Sequence, residues 1–242
     1  MKIVAKTDVG KTRENNQDAY SAGELPDGVA WAVVCDGMGG AAGGNVASTS
    51  AVKVIAEQIT ASYRASMSSK SIKNMLVSAI NAANISVYDL AQANKELRGM
   101  GTTVVCALVT GSAAYIANAG DSRAYMLSGG TLSQLTRDHS VVQEMVEPGK
   151  ITQSEAKVHP HKNIITRALG VHPEIRVDFY EQPMTASDIL FLCTDGLTNY
   201  VETDEICALT QNCSYYEFAE KLVSRAIENG GGDNVTVVTL AY

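Results

Sequence analysis

The chain has 242 residues, 45% of them hydrophobic and 19% charged, with a formal net charge of −7 and a pI near 5.1. That length and apolar share suit one large domain with a substantial core, expected to span residues 1–242. The acidic balance, with no run of Lys or Arg longer than a pair, excludes nucleic-acid binding through a basic face and docking on an anionic membrane.

The opening "MKIVAKTD" reads as a strand over 2–7 and lacks the apolar core and cleavage site of a secretory signal. No stretch reaches the roughly 18 apolar residues of a membrane span. A cytoplasmic protein is therefore expected, with its five cysteines as reduced thiols. Cys35, Cys106 and Cys193 sit inside apolar runs. Sequons at Asn84, Asn212 and Asn234 mean nothing without secretion. "GKT" at 10–12 is not a P-loop, because that motif needs glycine where Ala5 stands.

Further strands are read at 29–35, 102–109, 113–119, 123–127, 176–180, 189–194 and 235–241. The turns "TGSA" and "LSGGT" place three of them in one antiparallel meander. "VAWAVVC" and "ILFLCT" are nearly all apolar, as in strands covered on both faces. A helix is expected over about 45–63. A second carries Ile72, Met75, Leu76, Ala79, Ile80, Ala83, Val87 and Leu90 as a core stripe at helical spacing. A third opens on a capping box of Ser214 and Glu217 and stops at "NGGG". Consecutive strands and paired helices predict an α+β fold of packed antiparallel sheets under helices, not alternating βαβ units. Residues 137–172 hold short amphipathic pieces and are expected to form a movable flap.

Acids recur at the strand ends. Asp36 follows "VAWAVVC", Asp195 follows "ILFLCT", Asp121 follows "YIANAG", and Asp233 precedes "NVTVVTL". Asp18 is placed just after the first strand. One such Asp is more often a turn former; five at hydrophobic strand boundaries point to a shared site. Brought to one sheet edge they would repel and raise one another's pKa. Hard divalent cations relieve this, since Mg²⁺ and Mn²⁺ prefer oxygen ligands. Glycine after Asp36 would let a backbone carbonyl approach the same ion. Arg13 is the nearby cation, suited to bidentate capture of phosphate oxygens. Metal, carboxylates and Arg together suggest phosphate-ester hydrolysis by metal-bound hydroxide.

The stretches "DVGKTRENNQDAY", "VVCDGMGG", "MGTTVVCALV", "IANAGDSRAYML", "LTRDHSVVQEMVEPGKIT", "HPHKNIITRALG", "LFLCTDGLTNYV" and "GGGDNVTVVTL" resemble, in order, the metal-dependent type-2C (PPM) serine/threonine protein phosphatases in their compact bacterial form. The resemblance covers about residues 1–240. It implies an α-β-β-α sandwich with helix pairs outside the sheets and a binuclear Mn²⁺ or Mg²⁺ centre. By position Asp36 would bridge the metals and Gly37 would offer its carbonyl. Asp195 and Asp233 would complete the other metal, and Asp18 would act through bound water. Arg13 matches the phosphate-binding Arg. Asp121 matches the acid that joins Asp195 around a third, weaker metal.

The resemblance further implies phosphoserine and phosphothreonine proteins as substrates, an opposing bacterial Ser/Thr kinase and its targets as partners, and a monomeric enzyme. A dedicated stress or sporulation phosphatase and a weakly active regulatory module are the alternatives. Met38 stands where many eukaryotic members have His, so His161 of the flap becomes the candidate proton donor. Gln17, Ala41 and Asn45 replace Glu, His and Glu beside the site.

Overall fold

The computed structural model describes residues 1–211 and 213–241, without the side chains at 41, 42 and 211. Asn212 and the side chain of Ala41 thus lie outside the described residues. One antiparallel sheet contains β1 (Lys2–Asp8), β11 (Val235–Ala241), β10 (Ile189–Cys193), β7 (Arg123–Ser128) and β8 (Thr131–Gln134), in that order. The other contains β2 (Asp18–Leu25), β3 (Val29–Met38), β5 (Val104–Val109), β6 (Ala113–Ala119) and β9 (Asp178–Pro183), with β4 (Gly101–Thr102) paired to the end of β3.

Strand alternation explains the long apolar runs. On β3, Val29, Trp31, Val33 and Cys35 face two long helices, α1 (Gly40–Ser62) and α2 (Ser69–Ala93). The intervening Ala30, Ala32 and Val34 meet Leu190, Leu192, Val238 and Leu240 of the opposite sheet. The outer face of that sheet, with Tyr125, Phe191 and Val237, packs on Phe218, Leu222 and Val223 of α7 (Phe218–Glu228). Three apolar layers therefore separate helices, sheet, sheet and helix: the α-β-β-α sandwich is the fold. No helix among the described residues is long and apolar enough to cross a membrane.

Several expectations shift. The turns were read correctly but the meander was not: β5 and β6 pair, whereas β7 belongs to the other sheet. The chain changes sheets at Gly120–Ser122, where no hairpin turn exists to be read. β2 and β8 escaped the pattern because both lie at sheet edges and carry few buried side chains. Leu90 is 40% exposed and Ala91 takes the core position, since helical phase drifts past the stripe. The helix α6 (Thr203–Gln211) was unread. The capping box of Ser214 and Glu217 forms as expected, closing a short 3₁₀ turn before α7.

Residues 137–172 leave the sheets and carry α3 (Val141–Val146) and α4 (Gln153–Val158), the latter opened by a Thr152–Glu155 capping box. The returning arm is fastened by a bridge from Leu169 to Thr102. Asn84, buried on α2, accepts the Gly170 N–H at 2.9 Å and donates to the His172 and Pro173 carbonyls at 3.0 and 3.1 Å. Replacing it strands the buried Gly170 N–H, at about 1–3 kcal/mol, and frees two part-buried carbonyls. Asn84→Ala is expected to lower stability by about 2–4 kcal/mol, read as a shifted urea midpoint at constant slope. An unshifted midpoint would show that the flap root is not held this way.

Candidate active site

The sheets bring together what the chain separates. Asp18, expected just after the first strand, is the first residue of β2 and lies in register opposite Asp36. Asp36 lies within β3, which continues to Met38 by pairing with β4. Its backbone is pinned: the Asp36 N–H donates to Thr103 Oγ1 at 3.0 Å, and its carbonyl accepts the Thr103 N–H and the Thr102 hydroxyl at 2.9 and 2.8 Å. Gly37 is needed for close approach. A Cβ there would fall 2.0 Å from the Gly44 carbonyl oxygen and 2.7 Å from that of Gln17. The neighbouring chain, backbone on backbone, leaves no room for a side chain.

Asp195 starts the short helix α5 (Asp195–Thr198), immediately after β10. Asn199 donates to its Oδ2 at 2.9 Å. Asp121 stands at the crossing between sheets, after Gly120, whose φ of +123° disfavours any side chain. Asp233 precedes β11 and accepts both Arg13 Nε and Nη2 at 3.0 Å. Asn234 sews the Arg13 loop to that strand. It donates to the carbonyls of Val9 and Asn15 and accepts the Gln17 N–H at 2.8 Å. Asn234 thus reads as a sequon in sequence and works as a loop anchor in the fold.

Arg13, Asp36, Gly37, Met38, Asp121, Asp195 and Asp233 all line one cavity of about 500 Å³, closed on the flap side by Asn163 and Ile165. Asp18 is 8% exposed and sits behind that wall. Thr194 and Thr236 hydroxyls donate to its Oδ2 at 2.9 and 2.7 Å. His161 is exposed on the flap and does not line the cavity; its backbone N–H caps the His159 ring at 3.1 Å. Gln17 donates to the Gly40 carbonyl at the head of α1, and Asn45 is exposed on that helix. Thr103, Asn163, Asn199 and Asn234 were missed because neutral polar residues carry no signal until the fold shows their partners.

The carboxyls are electrostatically unhappy without compensation. Burial, with Asp195 and Asp233 nearby and two hydroxyls opposing, lifts Asp18 to about 7. Burial and then the Asp195 and Asp138 charges lift Asp121 to about 8. Burial, reinforced by Asp18, Asp195 and Asp121, pushes Asp36 well up. Asp195 is raised by burial and by Asp233, against hydrogen bonds from Asp36 and Asn199. Among the described residues no three His, Cys, Asp or Glu side chains form a ready-made metal cage; Asp233 is drawn to Arg13 and Asp18 to its hydroxyls. Yet Asp18 Oδ1 and Asp195 Oδ1 are buried without a hydrogen-bond partner. Orphaned carboxylate oxygens in an all-oxygen cluster fit a hard divalent cation.

Comparison with known proteins agrees with this chemistry. The family described as Protein phosphatase 2C matches residues 10–233. The serine/threonine phosphatase stp of Listeria welshimeri is 40% identical over 234 residues, covering 96% of this chain and 92% of that protein. The structure of serine/threonine phosphatase Stp1 from Staphylococcus aureus matches with a TM-score of 0.90 at 36% identity, over 99% of this chain and 94% of that one. The catalytic domain of the serine threonine protein phosphatase PstP, in complex with 2 manganese ions, matches with a TM-score of 0.85 at 33% identity, over 98% and 96%. Carrying the shared fold and an acid cluster that calls for divalent metal, the chain belongs to the protein phosphatase 2C family.

Proposed function

We propose that this chain hydrolyses phosphoserine and phosphothreonine in proteins at the carboxylate-lined cavity. The function class is that of its family: a metal-dependent protein serine/threonine phosphatase. The observation that carries the reading at residue level is the convergence of Asp36, Asp121, Asp195 and Asp233 around one cavity with Arg13 at its rim. Asp36, the Gly37 carbonyl, Asp195 and Asp233 would hold two Mn²⁺ or Mg²⁺ ions, with Asp18 behind them. Asp121 and Asp195 would hold a third, weaker one. Bound there, such ions neutralise the carboxylates, grip phosphate oxygens and acidify water.

The chain's own residues supply orientation. Thr102 and Thr103 fix the Asp36 backbone, and Asn234 fixes the loop that presents Arg13. Arg13, its side chain half exposed, would exchange its fork on Asp233 for phosphate oxygens. Met38 cannot give the leaving oxygen a proton. His161, outside the cavity, is proposed to meet the substrate's polypeptide instead. We further propose a monomeric cytoplasmic enzyme that opposes a bacterial Ser/Thr kinase.

Hydrolysis of a phosphothreonine peptide should vanish in EDTA and return with Mn²⁺, and Asp36→Asn should cost at least about a hundredfold in kcat. Full turnover in chelator would sink the assignment. Arg13→Ala should raise KM about tenfold, the worth of one charge-assisted hydrogen bond, with a smaller effect on kcat. Arg13→Lys should recover only part, having lost the bidentate fork. A KM unmoved in Arg13→Ala removes Arg13 from phosphate binding.

A further inference from the structure

The mechanism leaves one buried, hydrogen-bonded histidine unused. His139 is 0% exposed and lies outside the reaction cavity. Its ring Nδ1 accepts the Gly120 N–H at 3.0 Å, and its backbone N–H donates to the Gly120 carbonyl at 2.9 Å. One residue therefore holds both polar groups of the glycine that turns the chain into Asp121. Because Nδ1 accepts, Nε2 carries the proton and faces Asp178 Oδ2 at 3.1 Å. The other oxygen of Asp178, on β9, accepts Arg167 Nη1 at 2.8 Å. The tautomer is thus set by partners on both sides, and burial favours the neutral ring.

His139 also stands where the two arms of the flap meet. Its carbonyl accepts the Thr166 N–H at 2.7 Å, and the adjoining Val141 N–H donates to the Ile164 carbonyl at 2.9 Å. Ser140 bridges Ile165, whose side chain lines the cavity with Asn163. The outgoing and returning arms thus meet at the His139 backbone, while its ring joins β9 to the Asp121 turn.

We propose that His139 is a positioning residue that couples the flap to the Asp121 turn. This rests on the phosphatase reading and adds a path by which the flap sets the geometry of an acid it does not touch. A buried ring of purely architectural value would contribute only stability. The coupling predicts that the two ring nitrogens do separable jobs.

Asparagine places its amide near Nδ1 and glutamine near Nε2, so His139→Asn keeps an acceptor for Gly120 while His139→Gln keeps the reach to Asp178. Turnover of p-nitrophenyl phosphate and of a phosphothreonine peptide is measured at saturating Mn²⁺, with melting temperatures and amide hydrogen exchange at 120–122. His139→Gln should lower kcat on both substrates about 10- to 100-fold, the usual cost of losing a partner that orients a metal ligand, and should speed exchange at 120–122. His139→Asn should keep slow exchange and most p-nitrophenyl phosphate turnover, while raising KM for the peptide. Asp178→Ala should reproduce the His139→Asn pattern, and it carries the test if either His139 variant fails to fold. Equal kcat losses in both variants, or losses that follow melting temperature alone, would overturn the coupling. Absence of turnover by the wild-type chain on both substrates would instead overturn the phosphatase reading, and the exchange difference would still decide the role of His139.

Discussion

Burial of clustered carboxyls, reinforced by their mutual repulsion, is the constraint around which this protein is organised. Asp36, Asp121, Asp195 and Asp233 share one cavity, and Asp18 lies directly behind it in register with Asp36. Folding alone does not reward this arrangement. Asp18 and Asp121 are held near 7 and 8, above the ordinary carboxylate range. A carboxyl with a raised folded pKa binds its proton more tightly when folded. The metal-free chain therefore loses stability as pH climbs from about 4 through that range. The arrangement makes physical sense as a receptacle for positive charge, and Arg13 on Asp233 supplies only part of it.

The sandwich makes this concentration affordable. Its three apolar layers are filled from the central strands of both sheets, so the acids can be confined to the one end of the sandwich where the cavity lies. Three of the acids are then placed by backbone: Asp36 through Thr102 and Thr103, Asp195 at the head of a helix, Asp121 through the glycine before it. That leaves carboxylate oxygens free to coordinate. It also explains why glycine is required at 37, where the helix α1 backbone comes within bonding distance of where a side chain would begin.

Much of this was legible in the residues, for identifiable reasons. Apolar runs such as "VAWAVVC" announce strands buried on both faces, and the structure shows the alternate faces packing on helices and on the second sheet. Acids ending such runs announced the site, because an unpaired charge beside a core is costly. What stayed hidden depends on distant pairing. Asp18 reads as a residue following the first strand and is the head of another, since "DAYSAGEL" alternates weakly at a sheet edge. The meander expected to run through Gly120–Ser122 is instead a crossing between sheets, because the sheet each strand joins is decided by partners far along the chain. His161 drew notice as an ionisable flap residue, whereas the flap residues lining the cavity are the neutral Asn163 and Ile165. Neither carries a chemical flag in sequence.

The central claim is that the acid cluster is a metal receptacle whose buried negative charge is compensated by divalent cation. The most direct test is the melting temperature of the wild-type chain and of Asp36→Asn, each with EDTA and with Mn²⁺. The account predicts a marked rise with Mn²⁺ for the wild type. It predicts that Asp36→Asn, relieved of a buried carboxyl that must bind a proton to fold, melts higher than the wild type in EDTA and gains little from Mn²⁺. A wild type indifferent to Mn²⁺, or an Asp36→Asn variant that Mn²⁺ stabilises as strongly as the wild type, would contradict it.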